Sequence, residues 1–446
     1  MTTSVVIAGL GVSGLACAVE LTRRNIPFVA FEKDNRPGGL ARTEVAGDFR
    51  LDYGPHILLG VGAELRGWFH GLPDLDLDVC SGRSCVAFGR DMELVIPAPV
   101  QKHLNYLPLS IRMQVLAELL ARDERHRSPT NYGEFAAARC GKRIYEMFLR
   151  PYESKRLRFN LDEIPPDWTD RLEPLSLGSL LVPRWMSVCT RPKSRESRFL
   201  YPRSGGIEAL PRAMANLLPP ANLHYGNRLM EIDARGRCIF RENGPPLNYQ
   251  FLVISLPLPE IVSMLKEPPQ AVQHASEDLQ YTSIYVLSVG VDGPIPPWSL
   301  IRIPDSGVSF YRLSFPSRYA KGSAPPGQNV IVGETSYQAS RHHISKRAAM
   351  DDFRSGLRRL GILGKNQKIV VENLRDIHYG HVIYNHRTKA AVRVILDYLD
   401  AHSIIPCGKY GLWLDMLMTH SILSGMEAAQ KIASHTQNEM MAPILR

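Results

Sequence analysis

An α/β fold built around a parallel sheet with separated parts is predicted by three features of this 446-residue chain. Residues 4–8 (SVVIA) form a β-branched apolar run that leads straight into the glycine-spaced turn Gly9-Leu10-Gly11-Val12-Ser13-Gly14. A second apolar run, residues 28–31, ends on Glu32, and a third of the same kind, residues 252–256, lies far downstream. From 281 to 332 the pattern changes to short β-rich runs separated by Pro and Gly, which predicts an antiparallel sheet.

Taken in order, residues 4–8 read as a strand buried on both faces, because apolar residues follow one another without alternation. A helix over residues 15–24 and the strand at 28–31 complete a βαβ unit of Rossmann type. Gly9 permits the tight turn, Gly11 lets the backbone approach a pyrophosphate, and Gly14 allows close packing of helix on strand. The helix N-terminus, at Val12 and Ser13, supplies free N–H groups and a positive dipole end for phosphates. Glu32 ends the second strand about twenty residues on, where a carboxylate accepts hydrogen bonds from a ribose diol. A dinucleotide site at this end of the chain follows from the order of strand, glycines, helix, strand and acid.

Helical periodicity returns over 107–150, where Ile111, Val115, Leu116, Leu119 and Leu120 form one apolar face, followed by a second helix over 132–149. The Pro165-Pro166 joint interrupts the pattern. Residues 199–217 read as a strand, a Gly205-Gly206 turn and a helix. Near the C-terminus, Gly408-Lys409-Tyr410-Gly411 precedes a helix over 421–434. The expected organisation is a cofactor domain in three parts (1–75, 191–264 and 401–446), a sheet and substrate domain (76–100 and 265–400), and a helical substrate-binding insertion (101–190).

Composition agrees with a globular enzyme: 44% of residues are hydrophobic and 22% charged. A net charge of +9 suits an anionic ligand. The charge is scattered, with no basic block interleaved with aromatics, so no nucleic-acid partner is expected. The seven cysteines show neither CxxC spacing nor Cys/His pairs at ligand intervals. Reduced thiols, a cytoplasmic location and no metal site are expected. No basic region precedes the first apolar stretch, and no integral membrane segment is expected. His342-His343 lacks partner spacing and reads as exposed; Lys155 reads as a solvated helix-end charge.

Residues 33–43 (KDNRPGGLART) resemble the extension that follows the ribose acid in FAD enzymes of the amine oxidase and phytoene desaturase superfamily. In that superfamily the paired glycines and the arginine, here Gly38, Gly39 and Arg42 with Lys33, Leu40 and Ala41 around them, run past the flavin pyrophosphate. The run Leu51-Asp52-Tyr53-Gly54-Pro55-His56 is similar to the superfamily's D-x-G-x-H segment beneath the isoalloxazine. The C-terminal glycine segment and its helix, with Gly408, Met418 and Ser421, resemble the part that closes the FAD site.

Within the superfamily the chain resembles the UDP-galactopyranose mutase family, as a divergent member. Phe148-Leu149-Arg150-Pro151-Tyr152 with Lys155, Trp168-Thr169-Asp170-Arg171, Phe310-Tyr311-Arg312 and Tyr53-Gly54-Pro55-His56-Ile57 each match a family motif. The resemblance implies that Arg171 and Arg312 bind the substrate diphosphate, that Tyr384 and Tyr152 stand beside it, and that His56 helps keep the flavin reduced. Two guanidiniums suit a diphosphate because their planar forks make paired, charge-assisted hydrogen bonds. Two positions depart from the pattern: Leu157 replaces a tryptophan and Asp415 a tyrosine, which is compatible with another nucleotide-linked sugar. An unpaired Asp415 carboxylate would repel a diphosphate. The implied activity is a pyranose/furanose isomerisation of a nucleotide-diphosphate-sugar, redox-neutral overall, with reduced FAD attacking the anomeric carbon through N5. The alternative is an FAD-dependent oxidoreductase of amine oxidase or desaturase type that passes hydride from a small molecule to the flavin.

Overall fold

The computed structural model describes residues 3–121, 128–168, 172–181, 197–338 and 344–441. Four strands run parallel to the N-terminal strand Thr3–Ala8 in one sheet, in the order Ile404–Pro406, Leu247–Ile254, Thr3–Ala8, Phe28–Phe31, Leu223–His224. The start of Leu247–Ile254 also turns antiparallel to Cys238–Arg241, which pairs in turn with Leu229–Asp233. The sheet therefore draws its strands from the beginning, the middle and the end of the chain.

Val5, Val6 and Ile7 are fully buried because both sheet faces are covered. Val5 and Ile7 point into a core shared with the helices Val12–Arg23, Ala209–Asn216 and Met418–Met441. Val6 and Ala8 point the other way, against Leu258–Met264, Gln270–Glu277 and Thr388–Ala401. The helices Val12–Arg23 and Met418–Met441 pack so closely that a Cβ on Gly425 would stand 2.0 Å from the Ser13 carbonyl oxygen.

The second sheet has seven strands in the order Ile369–Ile383, Gln280–Asp292, Gln328–Tyr337, Arg312–Ser314, Leu300–Arg302, Ser84–Phe88, Leu94–Pro97. Its pairings are antiparallel except for Leu300–Arg302 against Ser84–Phe88, which is parallel. Along Gln280–Asp292 the side chains alternate. Leu287, Val289 and Val291 face the helix Lys346–Arg359, while Ile284 and Val286 face the hairpin formed by Thr43–Ala46 and Phe49–Asp52. A further antiparallel pair joins Leu77–Gly82 to Ser197–Pro202.

Between the strands Leu94–Pro97 and Ser197–Pro202 the described chain is helical, with its own core of Val115, Tyr132, Phe148, Tyr152 and Leu157 packed on Val86, Ile96 and Tyr311. Two expectations are corrected here. The helix expected over 132–149 breaks after Tyr132–Cys140, because Gly141 takes φ +81°, and helical turns resume toward Arg150–Leu157. In Leu109–Leu120 the inner face is narrower than expected: Val115 is buried, whereas Leu120 is 80% exposed. Other bounds shift modestly: the last helix runs Met418–Met441 and the first Val12–Arg23. Among the described residues no helix is long and apolar enough to cross a membrane.

Candidate cofactor cradle and active site

The first parallel strand delivers the chain to Gly9, whose N–H donates to the Phe31 carbonyl at 2.8 Å. Gly9 sits at φ +93°, and a Cβ on Gly14 would stand 2.0 Å from the Gly9 carbonyl oxygen, so both positions need glycine. Gly11 caps the helix without a side-chain hydrogen bond, which leaves the N–H groups of its first turn, at Val12, Ser13 and Gly14, for a ligand. The second glycine segment meets the first. The Gly38 N–H donates to the Leu10 carbonyl at 2.8 Å, and a Cβ on Gly39 would lie 3.2 Å from the Gly11 Cα. Glu32 is buried, its carboxylate accepting from the Leu10 N–H at 2.8 Å and the Asp34 N–H at 3.1 Å. Each of its oxygens keeps acceptor capacity for a diol.

Arg42 is also buried. Its guanidinium ties the loop to itself, through Nε to the Pro37 carbonyl at 3.0 Å, Nη1 to Asp34 at 2.5 Å, and a further bond to the Arg36 carbonyl. Lys33 is exposed. Ala41 packs in one apolar cluster with Val12 and Met418, and Leu40 joins the cluster under the hairpin. The C-terminal return closes on the same helix: Gly408 donates to Ser424 Oγ at 2.8 Å, and a Cβ there would stand 2.5 Å from Ser13 Oγ. Ser421 accepts from that same Ser424 hydroxyl.

Asp52 anchors the next segment. Its carboxylate accepts from Thr43 Oγ1 at 2.7 Å, Tyr201 OH at 2.6 Å and the Ile207 N–H at 3.2 Å. Burial still pushes its pKa up to about 6. Beyond it Gly54, at φ +139°, brings the chain beside the second sheet; a Cβ there would lie 3.4 Å from His56 Cε1 and 3.6 Å from Glu334 Oε1. His56 Nδ1 has no hydrogen-bond partner among the described residues. Burial pulls the imidazole pKa down to about 4; nearby Glu334 opposes this, while Arg312 and Lys409 reinforce it. The ring is therefore neutral at neutral pH.

Above that segment lies a polar cluster drawn from three strands, a helix and a turn. Arg312 and Glu334 are register partners on adjacent strands. The guanidinium grips the carboxylate with two bonds, Nε to Oε2 at 2.5 Å and Nη2 to Oε1 at 2.8 Å. The Tyr311 hydroxyl donates to the same carboxylate and lies 3.0 Å from His381 Nε2. Burial pushes the Glu334 carboxyl up, but the Arg312 charge and these hydrogen bonds reverse that and hold it below the usual range. Lys409 Nζ stands 3.3 Å from Asp415 Oδ1. Burial lowers the Lys409 pKa against the pull of Asp415, and Arg156 and Arg312 lower it further. Tyr384 supports the turn, its hydroxyl donating to the Trp413 carbonyl at 3.1 Å and accepting from the Asp415 N–H at 2.8 Å. Buried Tyr152 places its ring centroid 6.0 Å from that of Tyr311.

A family model described as flavin containing amine oxidoreductase matches residues 12–433. The chain belongs to this family. As a flavin containing amine oxidoreductase family member it uses FAD, and the glycine cradle fits that cofactor, since Gly9 and Gly14 allow the tight turn and no side chain caps the helix N–H groups that would meet its diphosphate. Among solved structures, a reduced UDP-galactopyranose mutase is 23% identical, with 97% of this chain and 94% of that one covered and a TM-score of 0.87. A candidate protoporphyrinogen oxidase from Exiguobacterium sp. is 17% identical, covering 97% and 99%, with a TM-score of 0.75. A redesigned putrescine oxidase is 13% identical, covering 97% and 99%, with a TM-score of 0.64. At these identities the likenesses show the fold, a mixed α/β architecture with several sheets.

Within this flavin family member, the structure brings Gly9, Gly11, Val12, Ser13, Gly14, Gly38, Gly39 and Gly408 together, and sets Gly54 beside His56 and Glu334, with Pro55 between the first two in the chain. Asp415 is paired with Lys409, so its charge is countered. Leu157 is fully buried in the helical core, and its carbonyl accepts from Thr282 Oγ1. Lys155 corrects an expectation: it is not solvated but buried, donating to the Ile303 carbonyl at 3.0 Å and the Asp305 carbonyl at 2.7 Å. Arg171 and His342-His343 lie outside the described residues. Sequence reasoning missed Glu334 and His381, buried residues that sit in long strands without a local motif. It also passed over Tyr311, Lys409 and Arg156, each of which lies inside a run already singled out.

Proposed function

We propose that this protein is a nucleotide-sugar pyranose/furanose mutase-like enzyme whose FAD lies along the Gly9–Gly14 cradle with its ring system over Gly54, Pro55 and His56. In this reading the ribose rests on Glu32, the pyrophosphate on the N-terminus of helix Val12–Arg23 and on Gly38 and Gly39, and the far edge of the flavin on Gly408, Met418 and Ser421. The single observation that carries the substrate side is the Arg312–Glu334 pair, which fixes a guanidinium beside the His56 segment.

The pair uses Nε and Nη2 of Arg312, so Nη1 remains to meet an anionic group. A guanidinium locked in this way needs no reorganisation as a diphosphate departs and its charge grows. Arg171 joins Arg312 on the diphosphate, and Tyr384 and Tyr152 border the same space. Reduced FAD supplies N5 as the nucleophile toward the anomeric carbon, with no net change of oxidation state. Neutral His56 offers Nδ1 as a hydrogen-bonding atom without adding charge. Lys409 counters the Asp415 carboxylate, so the turn beside the site does not repel the phosphates.

The experiment is to supply candidate nucleotide-sugars to the dithionite-reduced holoenzyme without oxygen and follow ring isomers by NMR. Interconversion by reduced enzyme, absent in oxidised enzyme, is expected. Stoichiometric oxygen consumption driven by an amine or alkene, with no isomerisation, supports instead the second reading, hydride transfer to the flavin, which the family's oxidoreductase description favours.

A further inference from the structure

The helix Arg150–Leu157 ends against the cluster just described. The Leu157 carbonyl accepts from Thr282 Oγ1, and Thr282 is the register partner of His381. Arg158 donates from Nε to the Ser336 carbonyl at 3.1 Å, two residues along the strand from Glu334. These two bonds fix the last turn of the helix over the strands that carry His381 and Glu334. The residue between Lys155 and Leu157 on that turn is Arg156.

Arg156 is built as a held guanidinium. Its Nε meets Glu153 Oε2 at 2.7 Å, both side chains being 15% exposed or less. Its guanidinium carbon lies 5.1 Å from the ring centroid of Trp168, close enough for a cation–π contact. Tyr152, one turn earlier on the same helix, touches Tyr311, the neighbour of Arg312. The Arg156 charge also acts across the space: with burial, and together with Lys409 and Arg312, it holds the His381 imidazole well below its ordinary pKa. Three cations from three parts of the chain, Arg156, Arg312 and Lys409, thus bear on one imidazole, each already held by an acid, Glu153, Glu334 and Asp415 respectively. Carboxylates that merely neutralised stray charge would not need a guanidinium held over an indole, since buried pairs are weak sources of stability.

We propose that Arg156 is a further substrate-binding residue, which with Arg312 grips a group bearing two phosphates and makes the site select it over a group bearing one. This rests on the nucleotide-sugar reading above. A planar fork set on Glu153 by one edge presents its other N–H donors with little loss of freedom on binding, and an ammonium in its place would not reproduce the paired geometry. A monophosphate can satisfy one guanidinium; a diphosphate is needed to span two.

The test is calorimetric titration of the oxidised, FAD-loaded protein with UDP, ADP, UMP and AMP, for the wild type, Arg156→Gln and Arg156→Lys. Visible circular dichroism of the bound flavin reports whether each variant keeps its fold. The wild type is expected to bind a diphosphate more tightly than the matching monophosphate. Arg156→Gln should weaken diphosphate binding by about tenfold or more while changing monophosphate binding much less, and Arg156→Lys should recover only part of the preference. Wild-type selectivity that persists within twofold in Arg156→Gln overturns the role of Arg156 and leaves the nucleotide-sugar reading standing. If Arg156→Gln loses its flavin, Arg156→Lys decides: an unchanged preference there overturns the proposal and a reduced one supports it. Failure of the wild type to bind any of the four nucleotides overturns both.

Discussion

The cradle around Gly9–Gly14 and the polar cluster around Arg312 are both buried, yet they hold their polar groups by different means. In the cradle the backbone does the work. Glycines let two loops come within van der Waals reach, and the Glu32 and Arg42 side chains are satisfied largely by main-chain groups of those loops, Leu10 and Pro37 among them. In the cluster the partners are other side chains: Arg312 with Glu334 and Tyr311 with His381 across distant segments, Arg156 with Glu153 one turn away on its helix, and Lys409 with Asp415 within one turn. The first arrangement is rigid by sterics; the second is rigid only while every charge keeps its partner. Binding a constant cofactor suits the first, and tuning to a particular substrate suits the second.

The strongest way to break this contrast is Gly14→Ala. A methyl group 2.0 Å from a backbone oxygen cannot be accommodated by rotating a side chain. Loss of bound FAD is expected, with destabilisation of about 3 kcal/mol or more, read from flavin absorbance per protein and from thermal unfolding. Retention of full flavin content would mean that the steric account of the cradle is wrong.

Next in size is Glu334→Gln. Arg312 would keep its charge but lose its carboxylate in a site where Glu334 is 5% exposed. Because the Arg312 side chain is 28% exposed, a loss at the low end for buried pairs is expected, about 2–3 kcal/mol. Replacing both residues with apolar side chains should restore part of that stability while abolishing nucleotide binding. Equal stability of Glu334→Gln and the wild type would show that the pair is not what fixes Arg312.

A smaller effect depends on pH. Folded His56 takes up a proton only near pH 4, whereas the unfolded residue does so near 6.5. Between those values the unfolded state binds more protons, so the His56 contribution is complete above pH 6.5 and is lost as pH falls toward 4. Asp52 works in the opposite sense: its folded pKa of about 6 exceeds the ordinary 3.8, so stability is gained as pH falls through that interval. The two partly cancel in the wild type. The difference in thermal midpoint between wild type and His56→Asn should therefore shrink from pH 6.5 to pH 4; a difference that is flat with pH would place the imidazole in water.

The smallest effect serves as a baseline. Arg203 pairs with Asp76 and Asp78 at the surface, with its side chain 60% exposed. Arg203→Ala should leave the thermal midpoint indistinguishable from that of the wild type, because the pair is screened by solvent.

The same contrast explains what could be read in advance. Gly9, Gly14 and Glu32 announce their roles because the steric rules that require them act within one βαβ unit. The β-rich pattern from 281 was visible too, but as short runs; it forms the 13-residue strand Gln280–Asp292, whose two faces pack on different neighbours. Glu334 was not, because its meaning comes from register: only once strands Arg312–Ser314 and Gln328–Tyr337 pair does it meet Arg312. His381 likewise gains its role only by meeting Tyr311, its hydrogen-bond partner 70 residues away in the chain. Lys155 misled because a lysine near a helix end is usually solvated; here two carbonyls just past the strand Leu300–Arg302 draw it inside. The Gly141 break was hidden by apolar spacing that continues across it.

The most direct test of the central claim, that this site binds a sugar for attack by the reduced cofactor rather than for hydride removal, is mass analysis of the flavin after cyanoborohydride quenching of anaerobic, reduced enzyme mixed with a turned-over nucleotide-sugar. The account predicts flavin carrying the mass of one sugar, formed by the wild type and lost in Arg312→Ala. Unmodified flavin from a wild-type sample that is consuming its substrate would contradict it.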